Sequence, residues 1–208
     1  MTPRTWTPEE LRLAIWLGYG GTSPTRPATS AAAAAAGVSA RTIQRWLAGA
    51  SIPSIEHATQ LRAALSPDPK ALLSQAMQAN HFRIAATELE RPRTRAASSQ
   101  WRAQRWHEPH TLWLLHHETL GVCRTMLTRA QPARPVEIPP GWTLLDRHTY
   151  PNRPRAGLAK HALLERVEPW RIRIRDDLIA PGLVEAGRDE TWLDTAPIRA
   201  LLEGPSAE

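Results

Sequence analysis

Residues 39–47, SARTIQRWL, sort into two sets of side chains at helical spacing. Ile43 and Trp46 stand three apart on one side, and Leu47 extends that side. Ala40, Arg41, Gln44 and Arg45 project the other way. The second set has the chemistry of a base-reading surface. An arginine can pair bidentately with guanine O6 and N7, a glutamine with adenine N6 and N7, and an alanine methyl can touch the thymine methyl. Ser39 precedes the helix as its N-cap. Ser39, Thr29 and Ser30 fall at expected helix N-termini, where hydroxyls and backbone N–H groups suit phosphate oxygens.

These side chains need a second helix behind them. Residues 29–49, TSAAAAAAGVSARTIQRWLAG, supply one. Gly37 tolerates the left-handed conformation of a tight turn between two helices. Ala33, four positions earlier, is small enough for the second helix to cross above it, and Val38 plugs the space between the two. An αα-hairpin with no nucleic-acid role would use the same apolar positions. What argues for the base-reading role is the polar set opposite them.

Residues 29–65 resemble the helix-turn-helix domain of phage Cro and C1 repressors, the XRE type. The matching residues are Ala33, Gly37, Val38, Ser39, Ile43, Trp46 and Gly49, followed by Ile52-Pro53-Ser54 and by Leu61 and Leu65. The resemblance implies a sequence-specific double-stranded DNA-binding regulator, with residues 39–48 in the major groove. It implies a repressor of phage or mobile-element type. Two-fold dimers are the usual way such domains reach useful affinity, and a monomer with two DNA-binding domains is the alternative consistent with the basic second half of this chain. One departure is the run Ala31 to Ala36, which lacks the polar side chains that usually anchor the first helix to phosphate.

Around this motif the reading is helical through residue 90. Thr7 caps a helix opened by Pro8-Glu9-Glu10, with Leu11, Ala14, Ile15 and Leu17 inside and Gly20-Gly21 as its stop. Residues 22–28, with two prolines, read as a loop. Further helices start near Ser54 and span about 70–90, the latter with Leu72, Leu73, Ala76 or Met77, and Ile84 as its apolar face. Residues 91–100, RPRTRAASSQ, read as a basic linker whose Arg91, Arg93 and Arg95 would touch phosphate or the minor groove.

Beyond the linker the period changes. Residues 111–115 and 122–127 read as a hairpin and 142–150 as a third strand. A helix follows over 155–167 and an alternating strand over 171–174. Thr191-Trp192-Leu193 reads as a short last strand and 197–203 as a final helix. The expected architecture is therefore multi-domain. An all-α helix-turn-helix domain (1–90) and a linker (91–100) precede an α+β domain of hairpin, strand, helix and strand (101–208) with an acidic tail.

Charge follows the same division. Of the 208 residues, 26 are Lys or Arg and 20 Asp or Glu, a net of +6. Residues 1–100 carry 11 cations and 6 anions, residues 101–175 carry 13 and 6, and residues 176–208 carry 2 and 8. A basic body is drawn to phosphate. Arg147, Arg153, Arg155 and Lys160, near the second-half helix, form a candidate second DNA surface. Arg171, Arg173 and Arg175 alternate along one strand, and either phosphate or the acidic tail (Asp176, Asp177, Glu185, Asp189, Glu190, Asp194) would answer them. A protein-binding role for the second half is a further alternative. Arg over Lys, nine Trp and the Ala runs fit GC-rich coding DNA, as in actinobacteria and their phages.

Residues 110–194 also faintly resemble a degenerate GIY-YIG nuclease domain, through the hairpin and the helix RAGLAKHALLERVEPW. Trp113-Leu114-Leu115 and Val122-Cys123-Arg124 replace the motif tyrosines, and Lys160 aligns with the metal-binding glutamate, Glu165 lying one turn on. The expectation is no catalysis and no cofactor, with metal-assisted DNA cleavage as the rival reading. His107 and His110 have metal-like spacing without a second ligand pair, and surface positions are the default for the histidines. Cys123, the single cysteine, reads as core. No apolar run reaches membrane-spanning length and no apolar leader opens the chain, so a cytoplasmic protein is expected.

Overall fold

The structure is a computed structural model that describes residues 5–90, 98–131, 136–178 and 190–195. Arg91, Arg93 and Arg95, the expected final helix at 197–203, and Glu185 and Asp189 lie outside the described residues. The described chain is α+β, helices accompanied by an antiparallel sheet. It packs as two compact units that do not follow the chain in order. The first gathers Met1–Asp68, Leu120–Val122 and Glu168–Glu208, and the second Pro69–Thr119 and Cys123–Val167.

In the first unit, α1 (Pro8–Tyr19) starts on a capping box. Thr7 Oγ1 accepts from Glu10 N at 3.2 Å, and the Glu10 carboxylate accepts from Thr7 N at 2.9 Å. Leu11, Ala14, Ile15 and Leu17 are buried, as their spacing predicts. After α1 the chain forms a small antiparallel hairpin, β1 (Gly21–Ser23) and β2 (Arg26–Pro27), where a loop was expected. Gly21 permits it. Its φ is 125°, and a Cβ there would stand 2.4 Å from the Arg26 carbonyl oxygen. Three helices follow: α2 (Thr29–Ala36), α3 (Ala40–Leu47) and α4 (Ile55–Leu65).

The C-terminal segment completes this unit. Residues 171–174 do not form the expected strand. They make a single bridge, Arg171 to Trp192. Two of its backbone donors go to residues near helix ends and one to a strand. Arg173 N donates to Leu65 O and Arg175 N to Leu17 O, both at 3.1 Å. Ile172 N reaches Thr191 O in β6 (Thr191–Leu193), also at 3.1 Å. Trp6 Nε1 donates to Pro169 O, the Arg62 guanidinium pairs with Glu168, and Thr195 Oγ1 donates to the buried Glu10 carboxylate. The arginine stripe is accordingly no open cationic face. Arg171 is buried and Arg175 pairs with Asp177 at 3.1 Å.

In the second unit, α5 (Pro69–Glu90) packs on α7 (Arg153–Arg166). The face it buries is not the expected one. Ala79, Phe82, Ala85 and Ala86 are inside, whereas Leu73, Met77 and Ile84 are exposed. Closeness decides this. A Cβ on Gly157 of α7 would lie 2.3 Å from the Phe82 ring, so only glycine lets the ring seat. The alanines then allow the helices to approach, and apolar bulk, which the periodicity counts, becomes secondary. Gly157→Val is expected to destabilise the protein by about 1–3 kcal/mol through overpacking, visible as a lowered thermal midpoint.

Where the linker was expected to run to residue 100, a short helix, α6 (Ser98–Ala103), has already begun. Trp101 within it is buried and stacks on Trp106 at 6.1 Å. Strands β3 (His110–His117), β4 (Val122–Arg129) and β5 (Thr143–Tyr150) match the expected hairpin and third strand, in the order β5-β3-β4. Cys123 is buried, as expected.

Candidate nucleic-acid interface

The turn between α2 and α3 is built on Gly37, at φ 66° and ψ 27°, the left-handed region. Val38 N reaches back to Ala33 O at 3.0 Å, which satisfies a carbonyl at the end of α2 and closes the turn. Nothing lies within 4 Å of where a Gly37 Cβ would stand, so the glycine is there for its backbone and not for space. Ser39 caps α3, its hydroxyl accepting from Thr42 N at 3.1 Å. At the other end Arg12 Nη2 donates to Leu47 O at 2.6 Å, a cation on the negative end of the helix.

The two faces of α3 are those the spacing predicts. Ile43, Trp46 and Leu47 are buried, and Ala32, Ala33 and Ala36 of α2 lie inside against them. Val38 is half-buried. Trp46 also meets the His57 ring at 5.9 Å, and His57 belongs to the first turn of α4, capped by Ser54. Arg41, Gln44 and Arg45 are exposed, and Ala40 is half-buried at the start of the helix. Among the described residues, Arg41, Gln44 and Arg45 make no side-chain hydrogen bond or ion pair. Their donors are therefore available to a ligand, on a helix whose direction is fixed by a buried face and two caps.

Thr29 and Ser30 open α2, but the N-cap is Ala28 and makes no side-chain bond. The first-turn N–H groups of α2 thus lack a capping side chain. Arg26, exposed in β2, stands three residues before α2 and was not singled out from the sequence. The signal that could have found it is Gly20-Gly21 followed by Pro24-Thr25, the start and the turn of a two-strand hairpin.

The second candidate surface is less uniform. Arg147, on the exposed strand β5, lies 5.6 Å from the Trp113 ring. Arg153 is half-buried over Trp106 at 5.5 Å, and burial lowers its pKa. Arg155 is held by Glu90 in an ion pair. Lys160 is half-buried. Arg153 and Lys160 share one side of α7 and Arg155 faces away from them, so the four do not make one continuous patch.

His110 and His161 are buried, against the surface default for histidines, while His107 is exposed. His110 Nδ1 lies 2.9 Å from Glu108 O, and burial holds its pKa below the usual imidazole value. His107 and His110 therefore have unlike surroundings. Among the described residues no three His, Cys, Asp or Glu side chains come together to hold a metal. No described helix is long and apolar enough to cross a membrane. No protein-family model, no curated protein sequence and no solved structure matches the chain.

Proposed function

We propose that the chain is a sequence-specific double-stranded DNA-binding regulator of helix-turn-helix type, acting in the cytoplasm of a bacterium or an infected host. The observation that carries the reading is α3. One face is locked by Ile43, Trp46 and Leu47, and the other presents Arg41, Gln44 and Arg45 without partners among the described residues. A helix of this kind, entering the major groove by its N-terminal part, places Ala40, Arg41 and Gln44 at base edges. The uncapped start of α2 and the exposed Arg26 suit flanking phosphates, which offsets the lack of polar side chains in the alanine run. Repression of a phage or mobile-element operator is the regulatory outcome this reading favours. In it the helix-turn-helix domain is the first structural unit, and the α+β second half supplies additional contacts through Arg147 and its neighbours.

Footprinting of the full chain on DNA recovered from a random-sequence pool tests the proposal. A protected site of defined sequence is expected. Binding of equal strength to every duplex would reject it. Within the same experiment, Arg26→Ala is expected to weaken binding to all sequences alike and to reduce the slope of log affinity against log salt by about one unit. Loss confined to the preferred sequence would instead place Arg26 at a base.

A further inference from the structure

The arginines of residues 171–175 leave one guanidinium over. Arg173 is half-buried, and among the described residues its side chain makes no hydrogen bond or ion pair. It lines an open cleft of about 560 Å³ in the first unit, together with Gly18 and Tyr19 of α1, Ala64 of α4, Arg175 and Asp177. The cations are not consumed by the helix ends they stand beside. Leu65 O accepts from Arg173 N and Leu17 O from Arg175 N, both at 3.1 Å, and Ala64 O accepts from the Tyr19 hydroxyl at 2.9 Å. Arg175 is set in place by Gly20 and Asp177. A Cβ on Gly20 would overlap the Arg175 guanidinium, so the glycine lets that group lie against the C-cap of α1. Asp177, its side chain 68% exposed, stands 3.1 Å from Arg175 Nε.

We infer that this cleft binds a small organic phosphate of sugar size, its phosphate monoester held by Arg173 and Arg175. Two guanidinium forks ask for more oxygens than one planar carboxylate has. The three terminal oxygens of a phosphate monoester answer both. Space points to an organic molecule, because a cleft of several hundred cubic ångströms is the size of a small-molecule site and far exceeds a bare anion. Gly18 and Ala64 add little bulk to the cleft and leave room for a carbon skeleton, and the Tyr19 oxygen and the Asp177 carboxylate are acceptors for its hydroxyls. Without the ligand, Asp177 is its internal stand-in on Arg175. An exposed ion pair of this kind is weak, so a phosphate carrying nearly two charges displaces it. The ends of α1 and α4 and the C-terminal segment all belong to the unit that carries α3, so occupancy of the cleft stabilises that unit.

The inference stands apart from the DNA-binding proposal, because it is tested without DNA. Isothermal titration calorimetry of the full chain with ribose 5-phosphate, at fixed ionic strength, is expected to show saturable binding at one site. The thermal midpoint should rise with the concentration of ribose 5-phosphate. Arg173→Gln should weaken binding by at least about tenfold. Its thermal midpoint without ribose 5-phosphate should equal that of the parent, since the side chain has no partner to lose among the described residues. Asp177→Asn should tighten binding, because the stand-in is gone. Arg41→Ala should bind ribose 5-phosphate as the parent does. A titration that does not saturate, or equal binding by the Arg173→Gln chain, would overturn the inference. So would inorganic phosphate binding as tightly, which reduces the site to one for a bare anion, or citrate binding more tightly, which puts a carboxylate in place of the phosphate. A failed titration beside a defined DNA footprint would leave the reading of α3 intact.

Discussion

A chain ending at Val167 is expected to lose the folded state of the unit that carries α3, although α1 to α4 remain covalently intact. The segment it lacks contributes Ile172, Ile174, Trp192 and Leu193, each no more than 2% exposed. Burying one such side chain contributes about 1.5–3 kcal/mol, so four contribute on the order of 6–12 kcal/mol. That matches the whole stability of a typical domain, about 5–15 kcal/mol. The truncation also removes the Leu65 and Leu17 carbonyl partners Arg173 N and Arg175 N, the Glu168 partner of Arg62, and the Thr195 hydroxyl that reaches the buried Glu10. Circular dichroism on heating should show no cooperative transition for this unit, and footprinting should show no protection. A truncated chain that melts cooperatively and protects the same site would show that the helices stand alone. The same reasoning predicts that a fragment of residues 1–95 does not footprint.

Arg41→Ala and Gln44→Ala are expected to have the opposite profile, with folding unchanged and recognition lost. Both side chains are exposed and without a bonded partner among the described residues, so stability should stay within about 0.5 kcal/mol of the parent. Each should cost about 1–3 kcal/mol at the preferred site and relax the choice of base at one or two positions. The two variants separate charge from base reading. Gln44→Ala removes no charge, so it should leave the salt dependence and the nonspecific affinity nearly as they were. Competition titrations with specific and random duplexes measure both quantities. A uniform loss on every duplex from Gln44→Ala would remove α3 from the major groove.

The contrast between these predictions reflects what could be read from the chain alone. The α2–α3 element is local. Gly37, Ser39, Ile43 and Trp46 lie within ten residues, and each acts through a turn, a cap or a buried face that the sequence displays. The hairpin of β3 and β4 and the third strand were legible for the same reason. Residues 171–174 were not. The alternation matches the burial of Ile172 and Ile174, but Arg173 and Arg175 bond to Leu65 and Leu17, more than a hundred residues away, so helix ends take most of the places of a neighbouring strand. The face of α5 was misread because a glycine on α7 and a row of alanines outweigh three large apolar side chains. On the candidate interface the sequence displayed Arg41, Gln44 and Arg45, and it concealed Arg26, whose position depends on a hairpin of two residue pairs, Gly21 with Pro27 and Ser23 with Arg26.

Selection of binding sites from a random duplex pool, run in parallel with the full chain and with its Arg41→Ala, Gln44→Ala double variant, tests the central claim most directly. The account predicts a defined consensus for the parent, and for the double variant the same site with at least two positions relaxed. No consensus for the parent, or an identical consensus for both proteins, would contradict it.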